Sequence, residues 1–198
     1  DESKRICVGM IFLPRTDFSM RAGLPTKEPQ ILKLWEETKL FDKYREDFNR
    51  DGFVMMKNAV STSQLDAMRS KLDDWVDESR DFSENFGEQM DGRPRFDVEP
   101  NTHSKDNPAL RRVASPIEVS DTYLSVTRDN AALDLIAHIF NPNIKLVGTK
   151  INLKLPGSGT IVKYHQDFPF EPHSNDDIMT TLYFLDDVTL KNGPLEVV

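Results

Sequence analysis

An α+β fold is what the residue patterns of this chain predict, and three stretches carry the prediction. Leu65, Met68, Leu72, Trp75 and Val76 recur at helical spacing behind a capping Ser61 or Thr62, the signature of a helix with one apolar stripe. Lys150-Ile151-Asn152-Leu153-Lys154-Leu155 alternates polar and apolar residues with the period of a strand, and Pro156-Gly157 ends it in a turn. Thr180 to Leu185 reads as a second strand, followed after Asp186-Asp187 by the turn Asn192-Gly193-Pro194. With 198 residues, 38% hydrophobic and 29% charged, the chain can bury one sizeable core, so one domain plus an appendage is expected.

Taken in order, the chain opens with a short apolar run, Ile6 to Leu13, after Lys4 and Arg5. It is too short to span a bilayer and no small-residue cleavage pattern follows, so it reads as a strand-like or disordered extension, and cytoplasmic is the default location. Leu13 to Pro25 is a Pro-punctuated arm; from about Pro29, Ile31, Leu34, Trp35 and Phe41 recur near helical spacing. A second unit begins at Glu46. Asp51-Gly52 is a turn signal before a short strand, Phe53 to Met56, and the helix with the Leu65 to Val76 stripe follows. Its acidic face, Asp66, Asp73, Asp74 and Asp77, reads as solvated surface rather than a metal site. Phe82 to Asp106 has no clear period and reads as a long loop. Within it Arg93, Arg95 and His103 read, as the favoured of two accounts, as ordinary solvated residues. Asp129 to Phe140 forms a helix with Leu133, Ile136, Ile139 and Phe140 inward and His138 on its surface, and Asn141-Pro142-Asn143 breaks it.

Charge and cysteine content narrow the function classes. A net charge of -8 and a pI near 5.0 argue against nucleic-acid binding, which needs a basic face for phosphates. The single cysteine, Cys7, excludes an intrachain disulfide framework and fits a reducing compartment.

The stretch with chemistry in it is Tyr164-His165-Gln166-Asp167-Phe168. On an extended segment a His and an Asp two residues apart point to the same side. Two imidazoles and one carboxylate on one face of an octahedron hold non-haem iron(II), so His165 and Asp167 supply two thirds of such a site. Spacing alone is weak: 33 of 198 residues are acidic, and four histidines give roughly even odds of one His-x-acid by chance. The flanking strands add weight. On the upstream one, Lys150, Asn152 and Lys154 form a row of donors; facing a barrel interior they can hold carboxylates, and facing out they are simply the wet side. On the downstream one, Thr180, Leu182 and Phe184 share a face. His173, on a polar loop eight residues after His165, is a poor third ligand and better suited to a loop-surface or substrate-facing role.

The run from Lys150 through YHQDFPFEPHSNDD to TTLYFLDDVTLKNGPLEVV resembles the phytanoyl-CoA dioxygenase (PhyH) family of iron(II)- and 2-oxoglutarate-dependent oxygenases, and Phe48 to Val54 resembles that family's amino-terminal DGF strand. The resemblance implies a double-stranded β-helix, a jelly-roll or cupin-like barrel with flanking amino-terminal helices. It implies a dioxygenase that decarboxylates 2-oxoglutarate to succinate and hydroxylates an unactivated C-H bond of a small organic substrate, using Fe(II) and dioxygen. His165 and Asp167 are then catalytic metal ligands, and Asn152, Lys150 and Leu182 co-substrate contacts; the resemblance also puts the Phe82 to Asp106 loop over the active-site mouth, which is the second account of Arg93, Arg95 and His103, as substrate contacts. Family members supply the second iron-binding His, and an Arg for 2-oxoglutarate, from strands after the NGPLEVV segment. No His follows His173, so the chain is expected to be a carboxy-terminally truncated piece with an incomplete barrel whose own activity is open.

Leu13 to Arg45 is similar to the extreme amino terminus of isoleucyl-tRNA synthetases, yet the HIGH signature and any Gly-rich phosphate loop are missing. A fused or mis-joined fragment is the preferred account of it, ahead of chance similarity and of a tRNA-related module. The expected organisation is therefore 1-45 as synthetase-like arm and helix, and 46-198 as dioxygenase-like unit. Alternatives are a non-catalytic jelly-roll binding module and, third, a synthetase-related interaction protein. No nucleic-acid or membrane partner is expected, and the oligomeric state is open.

Overall fold

A computed structural model describes the backbone of residues 5-14, 28-140, 143-155, 162-170, 172, 174 and 177-198, with side chains from residue 37 onward. In chain order the elements are β1 (Arg5–Pro14), α1 (Glu28–Asp51), α2 (Thr62–Glu78), β2 (Phe86–Met90), β3 (Arg93–Val98), β4 (Leu110–Ala114), α3 (Asp121–Arg128), α4 (Ala131–Ile139), β5 (Ile144–Lys154) and β6 (Met179–Phe184). The fold is α+β. The described strands form one antiparallel sheet in the order β2-β3-β4-β5-β1-β6.

The predicted helix stripe builds the core. A capping box starts α2: Ser61 Oγ accepts the Gln64 amide at 3.2 Å, and Gln64 Oε1 accepts the Ser61 amide at 2.8 Å. Met68, Leu72, Trp75 and Val76 are all buried, and they pack with Phe96, Val113, Ile151, Leu153 and Tyr183 from the sheet. Trp75 stacks on Tyr123 of α3 at 5.4 Å and meets the edge of Phe96 at 5.8 Å. The acidic face of α2 is solvated as expected, with the Asp66, Asp74 and Asp77 side chains 65, 66 and 74% exposed.

Two buried phenols tie the helices to each other and to the sheet. Tyr123 donates to the Met68 carbonyl at 2.9 Å, and Tyr183 of β6 donates to Asn130 Oδ1 at 2.8 Å. Asn130 in turn caps α4 by accepting the Leu133 amide. Burial pushes the Tyr183 phenol up to about 12, so it stays a neutral donor.

Three local expectations change. Phe82 to Asp106 is not a loop throughout: β2 and β3 form a hairpin whose two-residue turn, Asp91-Gly92, takes φ of 49° and 78°. Positive φ at both positions is the type I′ turn that Asp-Gly favours. Gly87 in β2 is also required, because a Cβ there would meet the Phe96 ring at 2.9 Å. Phe53 to Met56 forms no strand, and α3, which the sequence patterns did not mark, packs Tyr123 and Val126 into the core.

The apolar run at the start of the chain becomes β1, inserted between β5 and β6 and antiparallel to both. Val8 lies opposite Ile151 on one side and Tyr183 on the other. Consequently β5 and β6 run parallel to each other with one strand between them. α1 runs unbroken from Glu28 to Asp51, across the expected boundary at residues 45 and 46, and His138 of α4 meets it through a 2.9 Å contact with Asp42. No helix among the described residues is long and apolar enough to cross a membrane.

Candidate functional site

The alternation of β5 and β6 divides the sheet into two chemically different faces. Ile151, Leu153 and Tyr183 point to the helices and are buried. Lys150 and Asn152 point the other way and are exposed, so the donor row does not face the helical core. Strand register extends that second face across β1: Lys150 pairs with Gly9, which pairs with Leu182, while Asn152 pairs with Cys7, which pairs with Phe184. Thr180, two residues before Leu182, shares the face. Lys150, Asn152 and Leu182 therefore belong to one surface, with Leu182 38% exposed.

His165 and Asp167 approach each other beside this surface, though not as a strand would place them. Residues 162-166 carry no strand ladder; a bend at Asp167 and a short 3-10 turn, Phe168–Phe170, follow. The turn closes with the Phe170 amide donating to the Asp167 carbonyl at 2.9 Å. Its Phe170 ring stands edge-on to the His165 ring at 5.8 Å. His165 Nε2 and Asp167 Oδ1 end 3.4 Å apart, with side chains 44 and 38% exposed.

Hydrogen bonds decide which atoms of the pair remain available. His165 Nδ1-H donates to the Lys163 carbonyl at 2.7 Å, so the neutral ring carries its lone pair on Nε2. Thr180 Oγ1 donates to Asp167 Oδ2 at 2.6 Å, leaving Oδ1 directed at the imidazole. Two donors bound to one first-row ion at about 2.1 Å and at right angles would be about 3.0 Å apart. The 3.4 Å separation fits such a chelating pair after a small adjustment. Nearby, Tyr164 donates to Glu196 Oε2 at 2.6 Å, linking this segment to the NGPLEVV stretch, and that carboxylate raises the phenol's pKa.

The other histidines are placed elsewhere. His103 Nε2 lies 3.1 Å from the Ser79 carbonyl and 2.9 Å from that of Phe82, and its Nδ1 accepts the Ala109 amide, so it braces a turn. His138 contacts α1, as its helix-surface placement allows. His173 lies outside the described residues. Among the described residues no group of three His, Cys, Asp or Glu side chains comes together.

Arg95 is 2% exposed and so is neither a solvated loop residue nor a surface contact. Its guanidinium donates to the Ala114 and Ser115 carbonyls at 3.1 and 2.9 Å, and to Glu88 and Glu118 at 3.0 and 2.9 Å. It clamps the hairpin to the end of β4, where Ser115 takes a left-handed φ of 45°. Arg95→Met would strand two carbonyls and is expected to cost about 2 to 3 kcal/mol in urea unfolding.

Sequence reasoning did not single out Thr180. Its available signal was a hydroxyl residue on the same face of the strand as Leu182, at the end nearest the His165 segment.

Residues 48-198 match the phytanoyl-CoA dioxygenase (PhyH) family. Over 86 residues, 43% of this chain, it is 44% identical to a probable alpha-ketoglutarate-dependent hypophosphite dioxygenase of Stutzerimonas stutzeri, and the matched stretch spans 30% of that protein. A shorter stretch of 36 residues, 18% of the chain, is 61% identical to isoleucine–tRNA ligase of Rhodopseudomonas palustris. Another of 46 residues, 23% of the chain, is 54% identical to the Bradyrhizobium diazoefficiens ligase. These stretches span only 4 and 5% of the ligases. No solved structure matches the chain.

Proposed function

The chain belongs to the phytanoyl-CoA dioxygenase family, and from that premise we propose that it carries two metal ligands of an iron(II)- and 2-oxoglutarate-dependent dioxygenase acting on an unactivated C-H bond of a small organic substrate. The observation that carries this reading is the His165 Nε2 and Asp167 Oδ1 pair, 3.4 Å apart and anchored to a sheet face that also bears Lys150, Asn152 and Leu182. That face is read as one wall of a jelly-roll barrel. The 44% identity to an alpha-ketoglutarate-dependent relative supports the choice of co-substrate. Residues 1-45 are read as an appendage to the dioxygenase unit at 46-198, and the cytoplasm as its location.

His165 and Asp167 would hold the metal, the first as a neutral imidazole and the second as a carboxylate. When bound, iron(II) with 2-oxoglutarate and dioxygen supplies oxidative decarboxylation to succinate and transfer of one oxygen atom to the substrate. Lys150 brings a positive charge and Asn152 an amide donor, suited to carboxylate groups of the co-substrate. Leu182 gives that surface an apolar element and keeps water from part of it. Phe170 meets the His165 ring in a T-shaped contact that would help to set the ring's orientation.

The reading is tested by anaerobic iron(II) titration with 2-oxoglutarate, following the weak metal-to-ligand charge-transfer absorbance. A saturable band at one iron per chain is the expected result. A protein that folds but shows neither the band nor iron binding would remove a site built on these two ligands alone, and the same result with the chain extended past Val198 would leave the non-catalytic jelly-roll module as the better account.

A further inference from the structure

A carboxylate on a short side chain that is 38% exposed rotates freely unless a neighbour holds it. Asp167 has such a neighbour. Thr180 Oγ1 donates to Asp167 Oδ2 at 2.6 Å, a short bond to a charged acceptor. Thr180 is well suited to the task on two counts. Its backbone belongs to β6, paired opposite Ile11 of β1, so its position is set by the sheet rather than by the irregular segment containing His165. Its β-branched side chain is also stiff about χ1, which limits where the hydroxyl can point.

The two oxygens of Asp167 thus have separate tasks. Oδ2 is occupied by the threonine, and Oδ1 is turned toward His165 Nε2. The imidazole is oriented by a different and more local contact, Nδ1-H to the Lys163 carbonyl two residues away. Among the described residues it is therefore the threonine bond that carries the pair to the sheet face bearing Lys150, Asn152 and Leu182. A ligand held by a hydrogen bond on its second atom is how proteins orient metal ligands, and losing such a partner commonly weakens binding 10- to 100-fold.

We infer that Thr180 is the positioning residue of this centre: its hydroxyl fixes the Asp167 carboxylate so that Oδ1 and His165 Nε2 present together to a metal ion. The inference deepens the dioxygenase reading and rests on it for the identity of the ligand, but the fixed orientation of Asp167 can be measured without metal. The test compares the full chain with Thr180→Val, which has the same shape and no hydroxyl, and Thr180→Ser, which restores the hydroxyl. In the metal-free protein the three-bond Hα-Hβ couplings of Asp167 are expected to report one χ1 rotamer in the parent and in Thr180→Ser, and rotamer averaging in Thr180→Val. Thermal midpoints should agree across the three, since valine suits a strand. Iron(II) affinity is expected to fall roughly 10- to 100-fold in Thr180→Val and to recover in Thr180→Ser. Unchanged couplings in Thr180→Val, or an Asp167 already averaged in the parent, would overturn the inference. Equal iron affinity in the parent and Thr180→Val would overturn it while sparing the metal reading. A parent with a fixed Asp167 that binds no iron would do the reverse, removing the metal and keeping the threonine's orienting role.

Discussion

Alanine at His165 is expected to abolish iron(II) binding and the 2-oxoglutarate charge-transfer band, raising the iron dissociation constant by at least about 100-fold. Losing a partner one bond removed from a metal already costs up to about that factor, and losing the ligand itself costs no less. His165 is 44% exposed, and its polar contacts among the described residues are with the Lys163 carbonyl and Asp167, so the replacement leaves no cavity in the core and thermal stability should hardly change. His138→Ala is the matching control. It removes an imidazole 2.9 Å from Asp42 of α1 and should leave iron binding intact while loosening the contact between α1 and α4. Isothermal titration of both variants with iron(II) under anaerobic conditions separates them. Equal losses in the two would mean that iron binding does not depend on the His165 pair.

Trp75→Ala is expected to be the most destabilising single change in the core, by about 3 to 5 kcal/mol. The indole is 3% exposed, stacks on Tyr123 and meets the edge of Phe96, so it joins α2, α3 and the sheet at one point. Alanine would remove both ring contacts and leave a void that the surrounding rings cannot fill without moving. Domains of this size have total stabilities of about 5 to 15 kcal/mol, so the variant should unfold at a much lower urea concentration. The thermal midpoint should drop by roughly 6 to 20 °C. Trp75→Phe keeps a ring for Tyr123 and should recover a large part of the loss. Unfolding followed by far-ultraviolet circular dichroism measures both, and a shift below 1 kcal/mol for alanine would mean that the Trp75 cluster does not hold the helical layer to the sheet.

Much of the fold is written locally. The stripe of α2, its Ser61 and Gln64 cap, the alternation of β5 and the apolar face of α4 follow from spacing and residue type, because each element must satisfy its own backbone and bury its own stripe. The Asp91-Gly92 turn is legible in principle, but Glu88, Arg93, Pro94 and Arg95 around it lack strand alternation, so the local pattern predicts a loop where the structure has a hairpin. Arg95 illustrates the same limit from the other side. Nothing in its neighbours in sequence says that two carbonyls and two carboxylates from distant residues will converge on it.

For the candidate site the division is sharper. Residue types and spacing establish the chemistry at hand, a His and an Asp two apart, a donor row and a later strand, together with the family they resemble. Tertiary structure alone decided that the donor row turns away from the helices, that β1 separates β5 from β6, and that Thr180 reaches Asp167 across 13 residues of chain. The physical reason is that periodicity records which side of an element is apolar, whereas strand neighbours and side-chain partners are settled by competition among segments far apart in sequence.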